Sequence, residues 1–289
     1  RIFGGVVMKN CILTGFADEI DPMMQKQYAL LHRLGIEYIE LRGVNGKNIS
    51  KLTEAEVSLL KSELDREKIK ISAIGSPLGK IKITDDFEEH FAMLEKLLSF
   101  AKILDTRYIR VFSFYMDGDY NTHKDEVFKR MSRFIDAAAK VNVVLLHENE
   151  KGIYGDNLER CVQLMERFYG DSFKCTFDFA NFVQCGVDTV SAYKALRPYI
   201  EYIHIKDALY DGGHVVPPGM GDGRLKDILN AAFSDGYHCF LSLEPHLSNF
   251  HGLDKLEKGE IDKKDKIPGE TAFTTAYNAL IELLEQNGN

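Results

Sequence analysis

Four side chains with metal-binding chemistry, Glu148, Asp178, His204 and Glu244, stand at or near the ends of short apolar runs in the second half of the chain. Strand residues alternate between two faces, so polar residues interleaved with apolar ones mark the face turned away from the surrounding hydrophobic layer. In Tyr202-Ile203-His204-Ile205-Lys206-Asp207 the isoleucines are predicted to face outward, leaving His204 and Lys206 inward. In Phe240-Leu241-Ser242-Leu243-Glu244 the leucines face outward and Glu244 inward. Glu148 closes Val144-Leu145-Leu146-His147-Glu148, and Asp178 closes Cys175-Thr176-Phe177-Asp178 in the same way. One neutral imidazole with three carboxylates is a hard, oxygen-rich donor set, suited to Mn²⁺, Mg²⁺ or Co²⁺ more than to a thiolate-seeking ion. Without a cation, three clustered carboxylates repel one another and titrate abnormally. Each residue alone has an ordinary use, because a strand-terminal Asp often caps the next helix and a lone His often packs in a core. Four at successive strand ends are not explained by capping, and they predict one shared site.

Further polar residues fall on the same inward face. Glu40 and Arg42 lie inward on the second apolar run and Arg110 on the fourth, where they are candidates for binding substrate. Arg110 has the equal alternative of neutralising and orienting Glu148. An inward Lys206 is competent to polarise a carbonyl or protonate a departing hydroxyl; a salt bridge to Glu150 or Glu244 is its ordinary use. His246 follows Glu244 by two residues and either contacts substrate or packs in the loop. The turn Gly219-Met220-Gly221-Asp222-Gly223 offers backbone amides to a substrate, or is simply a tight turn with Asp222 capping the next helix. His147, facing outward, is read as structural.

The elements that must position these residues repeat regularly. Eight short β-rich runs occur at Cys11–Gly15, Ile36–Leu41, Ile69–Ile74, Tyr108–Phe112, Val143–Glu148, Lys174–Asp178, Tyr199–Ile205 and Cys239–Glu244. Between them lie amphipathic stretches, and Thr271–Glu285 closes the chain. In Phe87–Leu104, for example, Phe91, Leu94, Leu97, Leu98, Ala101 and Leu104 form one stripe at helical spacing. Strict alternation of eight βα units predicts an α/β (β/α)₈ TIM barrel with all strands parallel and the helices outside. An open doubly wound sheet is the alternative, but no GxGxxG follows the first run. Two long connections, Asp207–Arg224 and His246–Pro268, follow strands and so belong to the carboxyl-end face, where barrel sites are built. No proline- or glycine-rich linker divides the chain. The reading is one barrel domain over 8–289, with Arg1–Val7 a remnant ahead of a natural start at Met8.

Composition narrows the class. Hydrophobic residues make up 45% and charged residues 28% of the 289, a globular profile with enough apolar material for a full core. There is no apolar run of roughly 18 residues, so no membrane span is expected. The net charge of -8 weighs against a nucleic-acid partner. Five scattered cysteines without a CxxC pair fit reduced thiols and a cytoplasmic location.

The strings His147-Glu148-Asn149-Glu150, Phe177-Asp178-Phe179-Ala180-Asn181, Ile203-His204-Ile205-Lys206-Asp207 and Leu243-Glu244-Pro245-His246 resemble the xylose isomerase-like barrels, a superfamily that includes the sugar phosphate isomerase/epimerase group. Ile39–Arg42 and Pro218–Gly223 fit the same pattern, and the resemblance runs nearly the length of the chain. It implies Glu148, Asp178, His204 and Glu244 as ligands of one divalent metal, Mn²⁺ first, with Mg²⁺, Co²⁺ or Zn²⁺ as alternatives. It further implies Glu148 and Glu244 as the acid/base pair of a sugar isomerase or epimerase working through a metal-stabilised enediolate. The substrate would be a small keto-sugar or polyol, met by Lys206, Glu150, Asn181, Arg110, Glu40 and His246, and a homo-oligomer is expected by the same resemblance. The chain departs from the epimerases at Asn181, where they often carry His, and at Glu150, where many members have His. Lys206 resembles the dehydratase-like members, which makes a metal-dependent lyase the runner-up. DNA repair of the apurinic-endonuclease kind needs more histidine ligands than these strand ends offer.

Overall fold

The computed structural model describes Ile2–Phe3, Val6–Val7, residues 11–249 and residues 267–285. Eight parallel strands form a nearly closed barrel: β1 (Ile12–Gly15), β2 (Tyr38–Leu41), β3 (Lys70–Ile74), β4 (Tyr108–Val111), β5 (Val144–Glu148), β6 (Phe173–Asp178), β7 (Ile200–Ile205) and β8 (Phe240–Leu243). Each strand is ladder-paired with the next in sequence from β2 to β8, and β8 pairs back onto β1. β1 and β2 lie side by side to complete the ring. The expected (β/α)₈ barrel is therefore the fold, with every strand boundary within two residues of the sequence reading. Of the segment read as a remnant, Ile2–Phe3 and Val6–Val7 pair as a short antiparallel ladder. Met8 lies outside the described residues, as do positions 250–266 of the second long connection.

The helices are α1 (Met24–Leu34), α2 (Glu54–Glu67), α3 (Glu88–Ile103), α4 (Tyr120–Ala139), α5 (Leu158–Phe168), α6 (Phe179–Gln184), α7 (Thr189–Leu196), α8 (Leu225–Ser234) and α9 (Gly269–Glu285). Local chemistry sets their ends. Thr53 and Glu56 form a reciprocal capping box at the start of α2. Asp119 accepts from the Asn121 amide, so α4 begins four residues before the predicted Lys124. The six-residue α6 has no counterpart in the sequence reading: its apolar residues are buried all round and show no stripe for periodicity to find. Among the described residues, no helix is long and apolar enough to cross a membrane.

The core has two parts. Outward strand residues such as Ile203, Ile205, Leu241 and Leu243 pack against the helix ring, each contributing roughly 1.5–3 kcal/mol by burial. Inside the barrel, Ala73, Val144, Leu146, Tyr202 and Phe240 form a separate apolar cluster joined by Tyr38 and Tyr108. Along β5, β7 and β8 the inward row thus changes from apolar at the amino end to polar at the carboxyl end. That gradient places charged groups at one mouth of the barrel, above an apolar floor.

Candidate metal centre

The strand register brings the four predicted residues together. Asp178 pairs with His204, and His204 with Ser242, so their side chains share the inward face. Glu148 and Glu244 close the group, and one ligand atom from each of Glu148, Asp178, His204 and Glu244 lies within 4.8 Å of the others. All four are buried. His204 Nδ1 stands 3.0 Å from Glu148 Oε1, 3.5 Å from Glu244 Oε2 and 3.8 Å from Asp178 Oδ2. Asp178 divides its work: Oδ1 accepts from the Asn181 amide at 2.7 Å and caps α6, while Oδ2 turns to the cluster. Capping and clustering, read from sequence as alternatives, occur on one carboxylate.

Cations surround these carboxylates. Arg110 Nη1 lies 3.2 Å from Glu148 Oε2 and 3.7 Å from Glu244 Oε1. Lys206 Nζ lies 3.2 Å from both Asp178 Oδ2 and Glu244 Oε2. Burial pushes the Glu148 carboxyl up, but His204 and Arg110 outweigh it and bring it down to about 2. For Glu244, burial is outweighed by Lys206 and His246, which hold it well below the ordinary range. Burial wins at Asp178, raising it to about 7 against the pull of Lys206. Burial disfavours a charged His204, yet Glu40 and Glu148 raise it well above the ordinary value. The imidazole therefore carries a proton where a cation would otherwise sit, the behaviour expected of an anionic cage that has recruited positive charge.

The donor chemistry fits a divalent cation. Three carboxylates and an imidazole nitrogen converge from four adjacent strands, and Glu148 Oε2 and Asp178 Oδ2 are buried without a hydrogen-bond partner. Both oxygens are met by ion-pair contacts, from Arg110 and from Lys206, and have acceptor capacity left for a cation. A second group, Glu19, Glu244 and His246, is equally close, but Arg42 already bridges it. Its guanidinium lies 3.2 Å from Glu19 Oε1 and 3.2 Å from Glu244 Oε1, and it is paired with Asp18 at 2.9 Å.

The remaining predicted residues are distributed unevenly. Glu40 lies on the far side of the His204 ring, with Oε2 3.0 Å from Nε2. Asn181 is buried and donates to Glu148 Oε1 at 3.2 Å and to the Asn149 carbonyl at 2.9 Å. His246 Nε2 lies 3.3 Å from Glu244 Oε1 and 3.5 Å from Glu19 Oε1. Glu150 pairs with Lys80 at 2.7 Å rather than with Lys206. His147 is buried against Ser113, 3.0 Å away, as its structural reading required. Sequence reasoning missed Glu19, Lys80 and Phe16. Glu19 follows β1 in the 3₁₀ turn Ala17–Glu19 and Lys80 lies in the connection after β3, where no alternation marks an inward face. The Phe16 ring carries the Arg42 and Arg110 guanidiniums at 4.3 Å and 4.8 Å and meets His204 edge-on at 5.3 Å.

The glycine turn after β7 behaves differently from either expectation. Asp207 accepts from the amides of Ala208, Gly219, Gly221 and Gly223, each at 2.9 Å, so those amides face the protein. A Cβ on Gly221 or Gly223 would come within 2.5 Å or 2.6 Å of Asp207 Oδ1, and only glycine permits the wrap. Asp222 accepts from the Tyr210 amide at 2.7 Å and does not cap α8, whose N-cap is Arg224 without a side-chain bond.

A family model described as xylose isomerase-like TIM barrel matches residues 28–266. The chain belongs to the xylose isomerase-like TIM barrel family. A 3-dehydroshikimate dehydratase from Bacillus anthracis is 27% identical over 191 residues, covering 64% of this chain and 66% of that protein, just under two thirds of its length. Among solved structures of the fold, the IOLI protein with a binding zinc atom has a TM-score of 0.74 at 17% identity, covering 96% of this chain and 99% of that one. The D-psicose 3-epimerase with D-tagatose from Clostridium cellulolyticum H10 has a TM-score of 0.70 at 14% identity, covering 95% and 99%. At these identities the two structures speak for the fold alone.

Proposed function

We propose that this family member is a divalent-metal-dependent sugar isomerase or epimerase acting on an uncharged keto-sugar or polyol, and that residues 8–289 serve it as one barrel domain. Glu148, Asp178, His204 and Glu244 are the residues that would hold the cation. A cation held there polarises a carbonyl and its neighbouring hydroxyl and acidifies the adjoining C–H. The chain's own part is to move that proton. Glu148 and Glu244 come from strands on opposite sides of the His204 nitrogen, so one takes the proton from carbon and the other returns it. Return to the opposite face gives an epimer; return to the neighbouring carbon gives an isomer.

The observation that carries this reading is the shared Arg110 guanidinium, 3.2 Å from Glu148 and 3.7 Å from Glu244. It sets one positive charge between the two carboxylates and, with His204, helps to keep Glu148 ionised, while Lys206 and His246 do so for Glu244. Charge balance supports an uncharged substrate. Arg42, Arg110, Lys206 and Lys80 are each paired with carboxylates of the site, so an anionic substrate would have to break an existing ion pair.

A second reading, metal-dependent loss of water, is favoured by Lys206, whose ammonium stands among the ligand carboxylates where it could protonate a leaving hydroxyl. The likeness to a dehydratase adds to it. The test is incubation of the Mn²⁺-loaded protein with uncharged ketoses, inosose-type ketones and 3-dehydroshikimate in D₂O, followed by NMR. Deuterium entering beside the carbonyl of an uncharged substrate, with the carbon skeleton's hydroxyls retained, supports the isomerase. Loss of hydroxyl from any of them replaces it with the lyase, and no exchange in the whole panel with Mn²⁺ bound counts against both.

A further inference from the structure

We infer that Glu40, backed by Ser242, is a positioning residue that fixes His204 so that Nδ1, and not Nε2, serves the cation. The inference rests on the reading that Glu148, Asp178, His204 and Glu244 hold a divalent cation. It gives Glu40 a different task from the substrate contact read from the sequence.

The geometry is specific. The two nitrogens of an imidazole point to opposite sides of the ring, and here each faces different company. Nδ1 faces Glu148, Glu244 and Asp178. Nε2 lies 3.2 Å and 3.0 Å from the two oxygens of Glu40, a carboxylate that is 1% exposed. Nε2–H therefore donates to Glu40, so that the proton a cation would displace is the one on Nδ1, and the Nδ1 lone pair is the one left to hold it. Glu40 is itself held. The Ser242 hydroxyl donates to its Oε2 at 2.6 Å, and the Tyr202 hydroxyl sits against Glu40, Ser242 and Ser72. These groups are all buried in the barrel interior, on the side of the His204 ring opposite the ligand carboxylates. Edge-on contacts from Phe16 at 5.3 Å and Tyr202 at 5.7 Å stop the ring from turning. A carboxylate donating its charge through an imidazole raises ligand basicity and fixes the tautomer, and removing such a partner typically weakens metal affinity by about 10–100-fold.

The experiment is calorimetric titration of Mn²⁺ into the metal-stripped full chain, comparing wild type with Glu40→Gln, Glu40→Asp and Ser242→Ala. Glu40→Gln is expected to bind roughly 10–100-fold more weakly, Glu40→Asp to recover part of that loss, and Ser242→Ala to lose a few-fold. Equal affinity in wild type and Glu40→Gln overturns the inference while leaving the metal site standing. If Glu40→Gln does not fold, Ser242→Ala decides, and unchanged affinity there overturns it. Failure of wild type to bind any Mn²⁺ removes the cation site itself, and the inference with it. The second readout is ¹⁵N NMR of the Zn²⁺-loaded protein. The His204 proton is expected on Nε2, and a proton on Nδ1 overturns the assignment.

Discussion

Lys206 Nζ lies 3.2 Å from Asp178 Oδ2, a buried oxygen that also faces His204. The lysine thus stands where positive charge is needed and competes with, or complements, a cation at the same carboxylates. Removing one member of a buried ion pair is strongly destabilising because the partner's charge is left stranded, by about 3–5 kcal/mol. Lys206→Met is therefore expected to lower the metal-free unfolding free energy by about 3 kcal/mol, with saturating Mn²⁺ restoring most of it. Urea denaturation with Mn²⁺ and with chelator measures both. An equal loss under the two conditions would show that the lysine and the cation do not share these carboxylates.

Glu148 combines a metal-facing oxygen with the position of a proton carrier. Glu148→Gln keeps the shape and one ligand oxygen but removes the base. Turnover, once a substrate is in hand, is expected to fall by about 10²–10⁴-fold, while Mn²⁺ affinity falls much less. Steady-state rates beside calorimetric titration check this, and turnover that survives the substitution would take Glu148 out of the acid/base pair.

Asp207 holds four amides of the connection between β7 and α8. Asp207→Ala strands those donors, and unsatisfied buried amides cost about 1–3 kcal/mol each when water cannot reach them. The expected result is a stability loss of a few kcal/mol, with faster amide exchange confined to 208–223. Exchange rates there that match wild type would mean the wrap is held by something else.

His90 supplies a pH dependence away from the site. Its Nε2 accepts the Gly79 amide at 2.6 Å, so the folded ring must be neutral, and burial lowers its pKa from 6.5 to about 4. Between those values the unfolded chain binds the extra proton and the folded one does not, so stability is full above 6.5 and falls as the pH drops towards 4. From pH 7.5 to 5.0 this one residue accounts for about 2 kcal/mol. His147, also lowered to about 4 by burial, adds to the same window. Urea midpoints across that range should decline less steeply for His90→Gln than for wild type; parallel curves would exclude His90 as a source.

The sequence was legible wherever side chains obey a period. Alternation placed His204, Lys206 and Glu244 on the inward face because β7 and β8 bury their isoleucines and leucines against helices. Spacing gave the helix stripes and, from them, the barrel. It could not find α6, which is short and buried on nearly every side so that no amphipathic stripe marks it, nor Glu19 and Lys80, whose positions come from turns. Alternation also says inward without saying how deep. Glu40 shares a face with the ligands yet lies beneath His204, and Asn181 spends its amide on Glu148 and Asn149. Such depth depends on barrel stagger, a long-range property of strand pairing rather than of any local run.

The apolar floor formed by Ala73, Val144, Leu146, Tyr202 and Phe240 makes the barrel a blind well. On the proposed function, a substrate that enters at the carboxyl-end mouth leaves through the same opening, so product and the next substrate contend for one doorway. Product is thus expected to inhibit competitively.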